Sequence, residues 1–191
     1  MGKVGTTGTP GTNTANDNLS DGVIGMVPIW LDLGYRVNPS IYVGGFFQYG
    51  FGFVNKDKSP GCNQGLNCSV HDIAFGADIH YHILPAAQFD PWVGAGVGYE
   101  ILGVSLSGAV QGFNFDTSGK ITGFQFLSLQ AGGDFKASPD VAIGPFLTFA
   151  LGQFSGYSST DNKSGTTISG DLTDTGMHEW LTIGVRGQFN L

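Results

Sequence analysis

The sequence predicts an all-β fold, an antiparallel up-and-down transmembrane β-barrel that is eight-stranded when complete, with about seven strands in this chain. Three observations predict this fold. Segments of alternating residue character recur along the chain, charged residues make up only 12% of it, and short connections alternate with long ones. Soluble globular chains usually contain about 25% charged residues. Membrane barrels instead combine low charge with strands that are apolar on one face only.

The clearest alternation runs through residues 70–101. In its first half, Ile79 falls on one face of an extended strand, whereas Asp78 and His80 fall on the other. A turn at residues 85–90 separates this half from a second segment that alternates in the same way. A period of two residues is typical of a β-strand whose two faces meet different environments.

Five other segments alternate with the same period. They comprise residues 23–37, 41–54, 121–135, 141–155 and 181–191. The connections between all these segments are alternately short and long. The short turns comprise residues 38–40, 85–90 and 136–140, and the long connections comprise residues 55–69, 102–120 and 156–176. This asymmetry is typical of outer-membrane barrels, which have short periplasmic turns and longer extracellular loops.

The charged residues within the strands avoid the apolar face. Those on the small or polar face are Asp32, Arg36, Asp78, Glu100, Asp134 and Arg186. A Lys or Arg that faces lipid at mid-bilayer costs about 2–4 kcal/mol, so the uncharged faces are predicted to meet lipid. A soluble, lipocalin-like barrel would turn its apolar face inward and carry many Lys and Glu residues outside. The observed composition favours the membrane barrel.

The N-terminal residues 1–21 are rich in Gly, Thr and Asn and show no periodicity, so they are expected to form an irregular loop before a barrel domain at residues 22–191. The strand at residues 23–37 runs into a short turn, so it descends from the outer surface. An ascending strand should therefore precede it. We expect residues 1–21 to follow the end of a first strand that this chain lacks.

Two segments carry a resemblance to a known family. They are residues 91–100, with the sequence PWVGAGVGYE, and residues 183–191, with the sequence IGVRGQFNL. With the alternating connections, they make residues 21–191 resemble the small outer-membrane β-barrels of the OmpA-transmembrane, OmpX and OmpW type. The resemblance implies a bacterial outer-membrane location, neighbouring outer-membrane lipids and lipopolysaccharide, and insertion by the barrel assembly machinery.

The C-terminal strand resembles the signal that this assembly machinery reads. Its alternate apolar residues are Leu181, Ile183, Val185, Phe189 and Leu191. The strand departs from the family pattern because it finishes on Leu191, where an aromatic residue is more usual.

The inward face is predicted to hold a polar network, since side chains fill barrels of this size. Its expected members are Asp32, Arg36, Asp78, His80, His82, Glu100, Asp134 and Arg186. Buried charges must be paired, and we expect Glu100 to pair with Arg186. A metal site at His80, His82, Asp78 and Asp72 is the weaker interpretation, because residues two apart on a strand share a face without forming a ligand geometry. Glycines on this face are expected to leave room for Phe46 and Phe124.

Candidate chemistry outside this network is sparse. His178 and Glu179 lie near loop serines and could contribute to a lipid A-modifying hydrolase or acyltransferase, which needs a Ser–His–acid set. Those serines are Ser155, Ser158, Ser159, Ser164 and Ser169. Loose calcium binding is the second possibility, although the spacing is not that of an EF-hand. Its acidic residues are Asp161, Asp171, Asp174 and Glu179. We predict neither catalytic residues, nor a metal, nor a cofactor.

The two cysteines, Cys62 and Cys68, are predicted to form a local disulfide in an oxidising compartment. The net charge of −7 and the pI near 4.7 argue against nucleic-acid binding. The predicted function is a structural or surface-interaction role in the outer membrane, exerted through the long extracellular loops, whose partner the sequence does not name. A narrow channel for small or apolar solutes is the alternative.

Overall fold

The computed structural model describes residues 3–5, 16–18, 23–57, 62, 65–110, 113–138, 140–172 and 174–189. The all-β, mostly antiparallel up-and-down fold is confirmed. The strands, in chain order, are β1 (Lys3–Gly5), β2 (Asn16–Asn18), β3 (Val23–Asn38), β4 (Ile41–Val54), β5 (Asn67–His82), β6 (Phe89–Val110), β7 (Phe113–Lys136), β8 (Val141–Asp161), β9 (Thr166–Asp171), β10 (Asp174–Thr175) and β11 (Met177–Phe189). The described residues include no helix with the length and apolar composition that spanning a bilayer requires.

One large sheet contains most of these strands, in the order β11–β8–β7–β6–β5–β4–β3, with β9 paired to β8 beyond the start of β11. Within the described residues this order ends at β3 and at β11, so the sheet is not closed into a barrel. It is nevertheless strongly curled, because Arg186 on β11 lies 3.4 Å from His80 on β5, across the three strands that separate them in the sheet.

The connections at one end of the sheet are short, as the sequence predicts. They comprise residues 39–40, 83–88 and 137–140, and we call this end the short-turn end. The opposite end differs from the prediction at residues 102–120, most of which belong to β6 and β7 rather than to a loop. The segment at residues 156–176 likewise contains the end of β8, all of β9 and β10. We call this the hairpin end.

These extended hairpins have a visible cause in the sequence. Val104 and Leu106 alternate with Ser105 and Ser107, and Ser105 pairs with Ser118 on β7. The β8–β9 hairpin turns at Gly165, whose φ of 69° lies in the left-handed region that glycine adopts without strain. The alternation in this segment is weak because Ser and Gly residues reduce the contrast between its two faces.

A register shift in β7 reverses, for part of the strand, which side chains point inward and which point outward compared with the prediction. Its pairing with β8 is interrupted between Gln125 and Leu127, as in a β-bulge. Phe124, on the N-terminal side of this shift, and Phe126, within it, are exposed on the outward face, and Gln125 is buried. The prediction that Phe124 points inward is therefore wrong, because the extra residue moves its segment to the opposite face.

A second, three-stranded sheet has the order β10–β1–β2. Residues 1–21 were expected to form an irregular loop, but their described residues, 3–5 and 16–18, are the two strands β1 and β2. The rest of that segment lies outside the described residues.

The inward face carries an apolar cluster at the hairpin end. Its buried members are Val23, Val70, Leu102, Phe154 and Leu172, which we call the hairpin-end cluster. Trp180 and Met26 pack against it. The remaining inward positions, towards the short-turn end, are mainly polar.

Candidate functional site

The inward face of the curled sheet buries charged side chains, whereas the outward face exposes apolar ones. On β5, Asp78 and His80 are 4% and 2% exposed, and Ile79 between them is 48% exposed. Glu100 on β6 and Asp134 on β7 are also buried. Alternation along an extended strand produces this inversion, since successive side chains point to opposite faces.

Arg186 on β11 is the centre of the first group of inward charges. Its Nε and Nη2 atoms donate to the two carboxylate oxygens of Asp134, and the Nη2–Oδ2 distance is 2.6 Å. The guanidinium also stacks on Trp92, 3.6 Å from the ring centroid. Bidentate carboxylate pairing combined with aromatic stacking is specific to arginine.

The same guanidinium determines the tautomer of His80. Nη1 of Arg186 lies 3.4 Å from Nδ1 of His80, and arginine can only donate, so Nδ1 acts as the acceptor. Nε2 of a neutral His80 then carries the proton and donates to Oδ2 of Asp78, 3.1 Å away. Gln130 donates to the same Asp78 oxygen.

A second arginine, histidine and aspartate repeat this order nearer the short-turn end. Nη2 of Arg36 lies 3.4 Å from Nε2 of His82, and Nδ1 of His82 lies 2.8 Å from Oδ2 of Asp90. The other oxygen of Asp90 accepts from the backbone N–H of Leu84. Because arginine again can only donate, Arg36 donates to Nε2 of His82, and Nδ1 of His82 donates to Asp90. We call these two chains of hydrogen bonds the Arg–His–Asp relays.

The predicted Glu100–Arg186 pair is wrong. Glu100 accepts from His178 Nε2 and from Trp180 Nε1, each at 2.8 Å, while Arg186 binds Asp134. The cause is position along the strands. Glu100 lies halfway along the 22-residue β6, but Arg186 lies near the end of β11 at the short-turn end. His178 and Trp180, at the start of β11, reach the level of Glu100.

Several network residues were not among the predicted members. Asp72 accepts from Gln48 Nε2 at 3.0 Å, Asp90 binds His82, and Trp92 stacks on Arg186. Asp90 is a turn residue in the prediction, but it is the second residue of β6 and lies two positions before Trp92, so both side chains fall on the same face. Extending the alternation two residues towards the turn would have placed it inward.

The eight predicted network residues do not form one cluster. Seven of them belong to the two relays or adjoin them, and Glu100 stands apart with His178. Asp32 lies beside Asp78 and His80, and one possible ligand atom from each of the three lies within 4.8 Å of the others. Nε2 of His80 already donates a proton to Asp78, and the positive Arg186 adjoins it. This geometry therefore suits a hydrogen-bonded network.

The candidate catalytic residues are not brought together. His178 is 1% exposed and faces inward against Phe154, with ring centroids 4.0 Å apart, while its chain neighbour Glu179 faces outward. The carboxylate that His178 binds is Glu100. Of the candidate serines, Ser155, Ser159, Ser164 and Ser169 are exposed and Ser158 is half-buried, all of them on β8, on β9 or in the turn between these strands.

Among the candidate calcium ligands, Asp161 serves the hairpin turn. Its Oδ1 accepts from the backbone N–H groups of Lys163 and Ser164. These hydrogen bonds stabilise the carboxylate and lower the pKa of Asp161 below its usual value of 3.8. Asp171, at the end of β9, is exposed. The side chain of Asp174 lies outside the described residues.

The remaining predicted features lie away from this network. Cys62 and Cys68 are joined by a disulfide with a Cα–Cα distance of 5.7 Å, before and at the start of β5. The assembly-signal residues Leu181, Ile183, Val185 and Phe189 all project outward from β11 and are exposed. Leu191 lies outside the described residues.

The interior opens slightly at the short-turn end. A recess of about 20 Å³, which has room for about one water molecule, is lined by Arg36, Asp90, Asp134, Lys136 and Gln188 among others. The level above it is filled by Trp92 and the Arg186 guanidinium. At the short-turn end, the described residues therefore form a shallow recess that Trp92 and the Arg186 guanidinium close from within.

No family model matches the chain, and no curated protein or solved structure matches it either.

Proposed function

We propose that this chain is an integral protein of a bacterial outer membrane, in which the seven long strands form barrel wall and the hairpin end faces outward from the cell. Its role is structural or surface-interacting rather than enzymatic. The observation that carries this proposal is the inversion of the two faces. Apolar side chains cover the outside of every long strand, and most charged side chains of these strands lie on the inside, where several are buried.

The exposed fractions on the outward face support a lipid environment. Leu33 and Tyr35 on β3 are 81% and 75% exposed, and Ile183 on β11 is 78% exposed. Outward side chains on the central strands are exposed as well, since Phe75 on β5 is 45% exposed and Leu129 on β7 is 48% exposed. Soluble monomers rarely expose contiguous apolar patches beyond a few hundred Å², so a face that is apolar across the whole sheet requires a cover.

Strand lengths fit the same environment. A membrane β-strand needs about 9–11 residues to cross the hydrocarbon core at its usual tilt. β4 and β11 have 14 and 13 residues, and β6 and β7 have 22 and 24. The longer pair would continue beyond the bilayer as the exposed hairpins of the hairpin end. Those hairpins are the surface available to an extracellular partner.

The decisive experiment compares two exposed apolar side chains. Phe75 lies near the middle of β5, opposite Phe47 near the middle of β4, and Ile168 lies on β9. They are 45% and 63% exposed. If the wall meets lipid, Phe75→Arg should lower the free energy of unfolding in lipid vesicles by about 2–4 kcal/mol, and Ile168→Arg by about 0–1 kcal/mol. Equal effects of the two substitutions would rule out membrane insertion of this face.

Conductance distinguishes the structural role from the channel. Trp92 and the Arg186 guanidinium stacked on it fill one level of the inward face, and Phe46 fills another. Purified protein in a planar bilayer should therefore give little or no stable current. A reproducible single-channel conductance would favour the narrow channel. Release of fatty acid from lipopolysaccharide, lost in a His178→Ala variant, would instead favour the enzyme.

A further inference from the structure

The outward face changes from apolar to polar near the hairpin end. On β5, Ile73 is the last outward apolar side chain in that direction, and His71 follows it. On β6, Ile101 is followed on the same face by Gly103 and Ser105. Ile73 lies opposite Ile101, and His71 lies opposite Gly103, so the change occurs at the same level on both strands. The apolar surface of these strands therefore ends along one line.

Lys120 on β7 lies at this same level. Gly103 is opposite His71 on one side and opposite Lys120 on the other, so both basic side chains share the outward face. Their Cα atoms are about 10 Å apart, because two strand spacings separate them. Lys120 is exposed. Among the described residues of the long strands, the other Lys and Arg side chains face inward, namely Arg36, Lys136 and Arg186.

The imidazole of His71 is held over Gly103. It stacks on the ring of Tyr49 on β4, with ring centroids 6.0 Å apart and planes inclined by only 7°. A Cβ built on Gly103 would lie 2.3 Å from Cε1 of His71 and 2.4 Å from its Nε2. The ring therefore takes the space of a side chain on β6. Its Nε2 edge reaches across β6, which separates β5 from β7 and Lys120.

Within the described part of the chain, neither basic group has a polar partner. The ring nitrogens of His71 and the Nζ atom of Lys120 make no hydrogen bond or ion pair there. Of the outward carboxylates nearby, Asp116 accepts from Asn162, and Asp171 lies on β9, two strands away from Lys120. Two basic groups at the edge of an apolar surface thus remain available to an anion.

We propose that His71, Ser105 and Lys120, which we call the headgroup patch, bind the phosphate of a lipid headgroup in the leaflet at the hairpin end. Lys120 and His71 donate to the phosphate oxygens from either side of Gly103, and the Ser105 hydroxyl is the third donor. A phosphate has enough acceptor oxygens for all three. The inference rests on the proposed membrane location and names the lipid group that this part of the wall recognises.

The depth of the headgroup patch agrees with this ligand. His71 lies four residues from Phe75 along β5, which is about 13 Å at the usual rise of a strand. Half of an apolar band about 25 Å tall is about 12 Å. With Phe75 near the bilayer midplane, His71 lies where the headgroups begin, and the flexible stem of Lys120 lets its ammonium reach them. The acyl chains of the bound lipid then lie against Ile73 and Ile101.

Short-chain phosphatidic acid, added to the whole chain in micelles of an uncharged detergent, tests the headgroup patch. We expect saturable NMR shifts at the amides of Gly103 and Lys120. Lys120→Gln should weaken the binding about tenfold, as expected for the loss of one charge-assisted hydrogen bond. Lys163→Gln is the matched control, because it removes the same charge from the exposed turn of the β8–β9 hairpin, and it should leave the affinity unchanged. Equal weakening by both variants would overturn the site.

Gly103→Ala tests the geometry. The added Cβ displaces the His71 ring but leaves both basic residues in the chain, so it should weaken the binding as much as His71→Ala does. Full affinity in Gly103→Ala would overturn the assigned position of His71. If Gly103→Ala does not fold, the outward-facing variants His71→Ala and Lys120→Gln are decisive, and unchanged affinity in either of them would overturn the proposal.

Inorganic phosphate separates a lipid headgroup from a free anion. It should bind much more weakly than short-chain phosphatidic acid, because it has no acyl chains to lie against Ile73 and Ile101. Equal affinities would overturn a lipid as the source of the phosphate. If the Phe75→Arg and Ile168→Arg comparison confirms insertion but phosphatidic acid gives no saturable shift, the headgroup patch alone is wrong. Equal effects of those two substitutions would instead overturn the membrane location and the headgroup patch with it.

Discussion

The short-turn half and the hairpin-end half of the interior stabilise their buried charges in different ways. In the short-turn half, each inward histidine stands between an arginine and an aspartate, as His80 does between Arg186 and Asp78. In the hairpin-end half, His178 binds Glu100 directly, and the aromatic ring of Phe154 covers it. The first half neutralises carboxylates with guanidinium groups, and the second surrounds its charges with apolar side chains.

Phe46 marks the boundary between these halves. It stacks with Trp30 at a centroid distance of 4.7 Å and packs against Gly76 and Gly98. On one side of this layer lie Asp32 and the relays, and on the other lie Gln48, Asp72 and Glu100. We therefore expect substitutions in the short-turn half to destabilise the protein mainly by leaving a buried charge without its partner. Substitutions in the hairpin-end half should destabilise it mainly by leaving a cavity.

The largest effect should follow from Arg186→Met. The substitution leaves Asp134, which is 3% exposed at its side chain, without its bidentate partner, and it removes the donor to His80. Removal of one partner of a buried pair costs about 3–5 kcal/mol, because the other charge stays buried. Urea unfolding in detergent micelles, followed by tryptophan fluorescence, measures this loss.

The control for that substitution removes both charges. Arg186→Met combined with Asp134→Leu should be more stable than Arg186→Met alone, since replacement of a whole buried pair by apolar residues is often nearly neutral. If the double variant is no more stable than the single one, the loss comes from the contact between Arg186 and Trp92 rather than from the charge.

Leu102→Ala should have the next largest effect. Leu102 is 1% exposed within the hairpin-end cluster, and its truncation leaves a cavity there. Loss of a buried leucine side chain costs about 2–5 kcal/mol, and we expect about 3 kcal/mol in the same unfolding measurement. Leu102→Met is the matched control, since it conserves volume and should cost less than about 1.5 kcal/mol. Equal losses for both variants would contradict a packing role for this half.

The strand pattern and its facing were largely predictable from sequence, because period-two alternation is local. The ends of β4 were predicted without error, and β3 differs by one residue. The long hairpins were missed because Ser and Gly weaken the contrast between faces in residues 102–120. The outward orientation of Phe124 could not be predicted, because one extra residue in a bulge exchanges the inward and outward positions without any local sequence signal.

The network was predictable as a set of inward residues but not as a set of pairs. Odd or even position along a strand assigns Asp78, His80 and Arg186 to the inward face. It does not tell how far each residue lies from the short-turn end. The pairing of Arg186 with Asp134 depends on how β11 is aligned with β8, where Arg186 lies opposite Gly144. That alignment is a long-range property, so the choice of Glu100 as the partner could not be corrected from sequence alone.

Gly98→Ala should disturb the boundary between the halves. An added Cβ would lie 2.8 Å from the Phe46 ring and 2.8 Å from the carbonyl oxygen of Phe75. Overpacking of this kind costs about 1–3 kcal/mol. Phe46→Leu should recover part of the loss, because it relieves one of the two contacts. A double-mutant cycle measures the coupling, and strict additivity of the two substitutions would place Phe46 elsewhere.

The smallest effect should come from Asp161, an exposed carboxylate outside both halves. Its pKa is lowered by the backbone N–H groups of Lys163 and Ser164, so its stabilising contribution is complete above the unfolded value near 3.8 and is lost as the pH falls through the folded value. The Asp161 carboxyl should therefore titrate below 3.8 in an NMR titration. Asp161→Ala should speed amide exchange in the β8–β9 hairpin at neutral pH, whereas Asp161→Asn, which keeps an acceptor oxygen, should change it little. Faster exchange throughout β5 and β6 in the Ala variant would show instead that this turn stabilises the whole sheet, and that neither half of the interior is sufficient to hold it.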